Sequence, residues 1–265
     1  NDCSTTRHFK IPREKFEPAL VHVLSRCEPK SLKVRPMRYD LSDWTLVFDL
    51  DGTLIDTAPD LHAALNYSLA QKGLAPVPLE TIRMMIGDGA KAMIRKGLVH
   101  HGLEIDESEV ETMLWPAFLE HYVAHITDLS QPFDSCVETL EALRSYGATL
   151  SVCTNKAHRL AEAVLDGLEV SDYFASIVGG DALAVKKPEG EHIFEAVRRA
   201  NGTKDRAIMV GDAWTDEKAA RNAGLPFVFV SFGYGTLSAE PYDDLQSISH
   251  WREMERAIAA LAGLI

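Results

Sequence analysis

"WTLVFDLDGTLIDTAPD", residues 44–60, is the stretch on which the fold turns. Trp44–Leu50 is a nearly continuous apolar run with β-branched and aromatic residues. That pattern suits a strand covered on both faces, as in a parallel sheet. Asp49 and Asp51 stand where the run stops, and Gly52-Thr53 follow at once. Ligands of open parallel sheets bind just outside the carboxyl ends of the strands. A carboxylate pair at that place is therefore positioned for chemistry as much as for capping a helix.

Further along the chain, "ATLSVCTN", "FASIVGG", "RAIMVGD" and "PFVFVSF" have the same strand character. Helical stretches lie between them, over roughly 134–146, 156–168, 189–201 and 215–223. The alternation predicts an α/β fold with a doubly wound, Rossmann-like parallel sheet. Between Thr57 and Pro132 no strand pattern occurs. "PDLHAALNYSLAQKG", "PLETIRMMIG", "GAKAMIRKGLVHHG" and "DESEVETMLWPAFLEHYVAHI" all repeat apolar residues at helical spacing. An interval of ~75 residues far exceeds an ordinary βα loop of 2–6. It reads as a small all-helical cap, residues 58–131, inserted after the first strand of a core spanning 41–57 and 132–265. Asp56 and Asp60 are expected to cap its first helix.

Residues 1–40 carry nine Lys/Arg against five Asp/Glu, a net of +4 within a total of −12. The remainder holds −16, a balance that disfavours nucleic acid and anionic membrane surfaces. Pro12, Pro18, Pro29 and Pro36 break the leading segment, and only "KFEPALVHVLSRC" has helical character. Residues 1–36 read as an extension outside the folded unit. No uncharged run of ~18 apolar residues suggests a membrane span, and "NDCSTTRHFK" lacks a signal-peptide core. Cys3, Cys27, Cys136 and Cys153 form no CxxC pair, which fits a reducing, cytoplasmic setting.

Four of the expected strands end or continue into reactive side chains: Asp49 and Asp51, Thr154-Asn155, Lys186-Lys187-Pro188, and Asp212. Each alone has an ordinary structural explanation, but convergence at one sheet edge points to a site. In sequence order, "DLDGTLIDT", "VCTNK", "VKKP" and "VGDAWTDEKAARNAG" resemble the four motifs of the haloacid dehalogenase superfamily. "MIGDGAKAMIRKGL" and "VGGDALAVKKP" further resemble its bacterial phosphoglycolate phosphatase family. In that family a second proline is common after the lysine motif. Gly190 stands in its place here, and is expected to loosen the loop.

The resemblance implies a phosphatase acting on a small phosphorylated metabolite, as a monomer or homodimer. It implies Asp49 as nucleophile and Asp51 as general acid, then base. Splitting phosphate ester hydrolysis into an aspartyl-phosphate step and a hydrolysis step eases a reaction with a poor electrophile. Residues two apart on an extended strand point to one side, so both carboxylates can flank one phosphorus. With Asp212 and Asp216 added, a phosphate dianion would be repelled unless a cation were present. Magnesium is implied, held by Asp49, Asp212 and the Asp51 carbonyl, with Asp216 nearby or a further ligand. Lys187 would oppose the phosphate and Asp49, while Thr154 and Asn155 would donate to phosphate oxygens.

Phosphoglycolate carries a second anion. "IGDGAKAMIRKG" is the expected receptor: Gly87, Asp88 and Gly89 at a helix start, with Lys91 and Arg95 on one face beyond it. The superfamily's dehalogenases resemble DxYGT and lack the second aspartate, so Asp51 favours phosphoryl transfer. A β-phosphoglucomutase-like mutase, a pyrophosphatase and a nucleotidase remain open, as does an inactive binding module on the same fold.

Overall fold

The computed structural model describes residues 39–265. The extension 1–36, its expected helix, Cys3 and Cys27 lie outside the described residues. The first strand, β1, spans Thr45–Phe48 and leads through a turn into β2, Ile55–Asp56. Helices α1 (Ala58–Ala70), α2 (Leu79–Arg83), α3 (Ala90–His100), α4 (Glu107–Glu109) and α5 (Trp115–Ala124) follow. A single π-helical turn, Val110–Leu114, joins the last two. Strand β3, Gln131–Pro132, then leads to α6, Cys136–Ser145, and β4, Thr149–Cys153. Next come α7 (His158–Gly167), β5 (Ser176–Val178), α8 (Gly190–Arg199), β6 (Ala207–Gly211) and α9 (Trp214–Ala223). Strands β7 (Phe227–Val230) and β8 (Leu245–Ile248) and helix α10 (Met254–Leu261) complete the chain.

Six strands form one sheet in the order β5-β4-β1-β6-β7-β8, and every pairing is parallel. The period of two assigns the side chains to two layers. Leu46, Phe48, Ile208, Val210, Val228 and Val230 face one core, which α6, α7 and α10 cover. Val47, Met209, Phe227 and Phe229 face the other, against α8 and α9. This is the doubly wound α/β architecture that the continuous apolar runs predict.

The insert has a core of its own. Leu65, Leu69, Ile94, Leu98, Leu114 and Phe118 are buried among α1, α3, α5 and the π turn. Its two chain passages run side by side, because β2 and β3 pair as an antiparallel ribbon, Ile55 with Pro132 and Asp56 with Gln131. The sequence pattern gives no sign of this ribbon, since two-residue strands leave no period to read. The sixth strand and the last helix were likewise not among the expected elements.

Two expectations are corrected. Asp56 and Asp60 do not cap α1, whose N-cap is Thr57 with no side-chain cap bond. The Asp60 carboxylate instead accepts from the backbone N–H groups of Leu129 and Ser130 and from the Ser130 hydroxyl, tying the return passage to α1. Asp56 accepts from Tyr234 Oη at 2.5 Å and from Arg83 of α2. Both carboxylates find tertiary donors that outcompete a local cap. Gly190 does not loosen its loop either. It is buried at the start of α8, and a Cβ there would lie 2.8 Å from the Ala223 nitrogen. Glycine at this position lets α8 press against the end of α9.

Candidate active site

The site is built at the carboxyl edge of β1, β4 and β6. Asp49 follows β1, and its N–H still bonds to the Val210 carbonyl at 2.9 Å, so its backbone is fixed by the neighbouring strand. Asp212 follows β6, and Asp216 lies in the first turn of α9. The carboxylates of Asp49, Asp212 and Asp216 all come within 4.8 Å of one another, and all three are buried. Lys187 reaches into this cluster from the loop before α8. Its Nζ donates to Asp49 Oδ1 at 2.7 Å and Asp216 Oδ1 at 2.6 Å, with only 2% of the residue exposed.

Each carboxylate is held by further donors. Asp212 Oδ1 accepts from Thr53 Oγ1 at 3.0 Å, and Oδ2 from the N–H groups of Tyr234 and Gly235. Asp216 Oδ2 accepts from the Ala213 N–H. Gly52 makes this approach possible. Its φ is +87°, and a Cβ would lie 2.6 Å from Asp212 Oδ2. Only glycine takes such a backbone without strain and leaves room for the carboxylate.

Three carboxylates thus face one ammonium in a dry place. Burial pushes the Asp49 carboxyl up from its usual range, with Lys187 opposing and Asp216 adding. Burial also raises Asp212, helped by Asp216 and Asp49. For Lys187, burial acts downward, but Asp216 and Asp49 outweigh it and hold the amine firmly charged. Ionising all three carboxylates together therefore leaves an excess of negative charge that a hard divalent cation would relieve. The donor set is all oxygen, which fits magnesium. Asp49, Asp212 and Asp216 are the side chains that could hold it.

Asp51 lines the same cavity as Asp49. Its Oδ1 accepts from Thr57 Oγ1 at 2.6 Å and from Lys156 Nζ at 2.9 Å. Asp49, Asp51, Thr154 and Asn155 line one cavity of about 350 Å³ between the sheet edge and the helical insert. The Asn155 amide NH2 is taken up by the carbonyls of Gly87 and Lys187, to which it donates. The Thr154 hydroxyl accepts from the Lys156 N–H.

The glycine-rich segment before α3 also lines this cavity. Gly87 and Gly89 have φ of +119° and +93°, and Gly89 rather than Asp88 is the N-cap. Asp88 pairs with Lys96 at 2.7 Å. Lys91 and Arg95 lie on one face of α3, but each is engaged with a glutamate, Glu111 and Glu107.

Lys156, Thr57 and Tyr234 also contact the site's carboxylates, with no role expected of them from the sequence. Lys156 sat in view within "VCTNK", one residue beyond the assigned Asn155. Tyr234 lies between two glycines just past β7, a break in pattern that marks a loop approaching the site.

Residues 46–230 match the family described as haloacid dehalogenase-like hydrolases. The chain belongs to this family. A relative from Caulobacter vibrioides, named phosphoglycolate phosphatase, is 44% identical over 207 residues, covering 78% of this chain and 86% of its own. Another of that name, from Agrobacterium fabrum, is 43% identical over 188 residues, covering 71% and 80%. A solved structure from Haemophilus somnus, titled a predicted phosphoglycolate phosphatase, superposes with a TM-score of 0.72 at 24% identity. It covers 82% of this chain and 97% of its own, and shows the shared fold. For a haloacid dehalogenase-like hydrolase, the order of site residues along the chain and their meeting at one sheet edge are what the four sequence motifs imply.

Proposed function

We propose that this hydrolase is a magnesium-dependent phosphatase that converts 2-phosphoglycolate to glycolate and phosphate through an aspartyl-phosphate on Asp49. The observation that carries the reaction type is that Asp49, fixed by Lys187, and Asp51 line one cavity. Support for the substrate comes from relatives at 35–44% identity that bear the name phosphoglycolate phosphatase.

Asp49 Oδ1 is held by Lys187, which leaves Oδ2 to attack phosphorus. As the P–O bond to glycolate breaks, Asp51 delivers a proton to the leaving oxygen. Glycolate departs, and Asp51, now a carboxylate, takes a proton from the water that attacks the same phosphorus. The P–O bond to Asp49 breaks, releasing phosphate and restoring the Asp49 carboxylate and the protonated Asp51. Lys187 offsets charge on the phosphoryl oxygens, and the Thr154 hydroxyl is near enough to the cavity to donate to one of them. A magnesium ion held by Asp49, Asp212 and Asp216 would supply charge neutralisation of the transferring group. In this reading residues 58–131 serve as a cap that closes a small cavity against water, and the protein works in the cytoplasm as a monomer or homodimer.

The test is release of inorganic phosphate from 2-phosphoglycolate by the purified protein with magnesium, beside Asp49→Asn. Release by the wild type and none by the folded variant is the expected result. Isomerisation of a sugar phosphate without phosphate release would replace the phosphatase reading by a mutase.

A further inference from the structure

Lys156 is the one buried cation of the cavity that the proposed reaction leaves without a task. Its side chain is 5% exposed, and its Nζ lies 2.9 Å from Asp51 Oδ1 and 3.3 Å from Oδ2. An ammonium has three donors. Among the described residues its partners are the Asp51 carboxylate and, more weakly, the Tyr122 hydroxyl. Its Nζ stands 4.8 Å from the ring centroid of Tyr122, on helix α5 of the insert. Tyr122 is 1% exposed, and its hydroxyl, which the Lys156 ammonium approaches, has no acceptor for its O–H among the described residues. A buried O–H donor left without an acceptor costs free energy, and native structures rarely leave one so. Both side chains line the cavity that holds Asp49 and Asp51. A buried ammonium and a phenol O–H without an acceptor thus meet beside the general acid.

We propose that Lys156 and Tyr122 form the receptor for the substrate's carboxylate. The inference rests on the phosphatase reading above and deepens it. Asp51 must contact the ester oxygen that leaves. In a phosphorylated 2-hydroxy acid the carboxylate is separated from that oxygen by a single carbon. A cation in direct contact with Asp51 therefore stands where that carboxylate arrives. Lys156 is dry, so an ionic contact there is screened far less than at the cavity's rim. The rival cations are placed less well. Lys91 and Arg95 are 39% and 32% exposed and already paired to Glu111 and Glu107. Lys186 donates to the Asp88 carbonyl at 2.7 Å. The substrate class is then a small phosphate monoester with a carboxylate on the carbon that bears the phosphate.

The test compares 2-phosphoglycolate with 2-hydroxyethyl phosphate, which replaces the carboxylate by a neutral group and keeps the ester. Wild type, Lys156→Met, Lys156→Arg and Tyr122→Phe are measured with magnesium. Lys156→Met is expected to lower kcat/KM for phosphoglycolate by at least about tenfold more than for the neutral ester, chiefly through KM. Lys156→Arg is expected to keep most of the preference. Tyr122→Phe adds no buried charge and keeps the ring, so it answers the question even if Lys156→Met does not fold. It should erode the preference about threefold or more. Equal losses on both esters in Lys156→Met and Tyr122→Phe would overturn the receptor and leave Lys156 as a support for Asp51 alone. Loss of preference in Lys91→Ala with Arg95→Ala, and not in the Lys156 or Tyr122 variants, would move the receptor to α3. A wild type that prefers phosphoglycolate while the Lys156 variants keep that preference sinks this inference but not the proposed function. A wild type that hydrolyses both esters without preference sinks both.

Discussion

Replacing Lys187 by methionine keeps most of the unbranched side chain and removes its charge. In the wild type the ammonium bridges Asp49 and Asp216 at 2.7 and 2.6 Å. At an effective dielectric of 20, each contact is a gross attraction of about 6 kcal/mol. Much of that is offset by the cost of drying the three groups, so the net effect is better taken from broken buried pairs, about 3–5 kcal/mol. For a folded unit of this size the loss corresponds to a fall in Tm of roughly 6–20 °C. The sign of its pH dependence follows from the carboxylates. Without the ammonium, Asp49 is raised further, because the opposing effect of Lys187 is gone. A carboxylate whose folded pKa exceeds its unfolded value binds protons preferentially in the folded state. Lowering the pH through that folded pKa therefore recovers stability, and the deficit of the variant should shrink from about pH 8 to about pH 6. The assay is urea unfolding of both proteins in chelator across that range. A variant within about 1 kcal/mol of wild type at the alkaline end, or a deficit that grows as pH falls, would refute the charge argument.

Asp51→Asn should lower phosphoglycolate turnover by about 10²–10⁴-fold while magnesium still binds, seen by isothermal titration; lost binding at an unchanged rate would reverse its role. Gly190→Ala should cost about 1–3 kcal/mol through overpacking against Ala223, read as a lower urea midpoint, and an unchanged midpoint would mean that α8 has slack there. His192 is buried, its Nδ1 accepts from the Lys187 N–H, and burial with Lys187 nearby pushes its pKa down to about 4. Its folded pKa lies below the unfolded value, so stability is full above about pH 6.5 and is lost toward pH 4, by about 2 kcal/mol near pH 5. His192→Gln should flatten that decline, and an equal slope in both proteins would contradict it.

What the sequence makes legible depends on how local the cause is. The apolar runs of β1, β6 and β7 are buried on both faces, so their composition alone announces them. The edge strand β8 has a partner on one side only, and Gln246 and Ser247 face solvent, so "LQSI" leaves no such run. Asp49 and Asp212 are readable because strand ends locate them. Lys156 is not, because its burial is compensated by Asp51, 105 residues earlier in the chain. Asp60 misleads for the same reason. A carboxylate in a first helical turn has a local explanation, and here the backbone of Leu129 and Ser130 outbids it.

The central claim is that Asp49 carries the phosphoryl group and Asp51 moves the proton. Asp51→Asn mixed with p-nitrophenyl phosphate and magnesium tests it most directly, because nitrophenolate leaves without protonation while the second step still needs a base. The account predicts a burst of one nitrophenolate per protein molecule, with a phosphoryl adduct on Asp49 in the acid-quenched peptide. Steady release without a burst, or an adduct on any other residue, would contradict it.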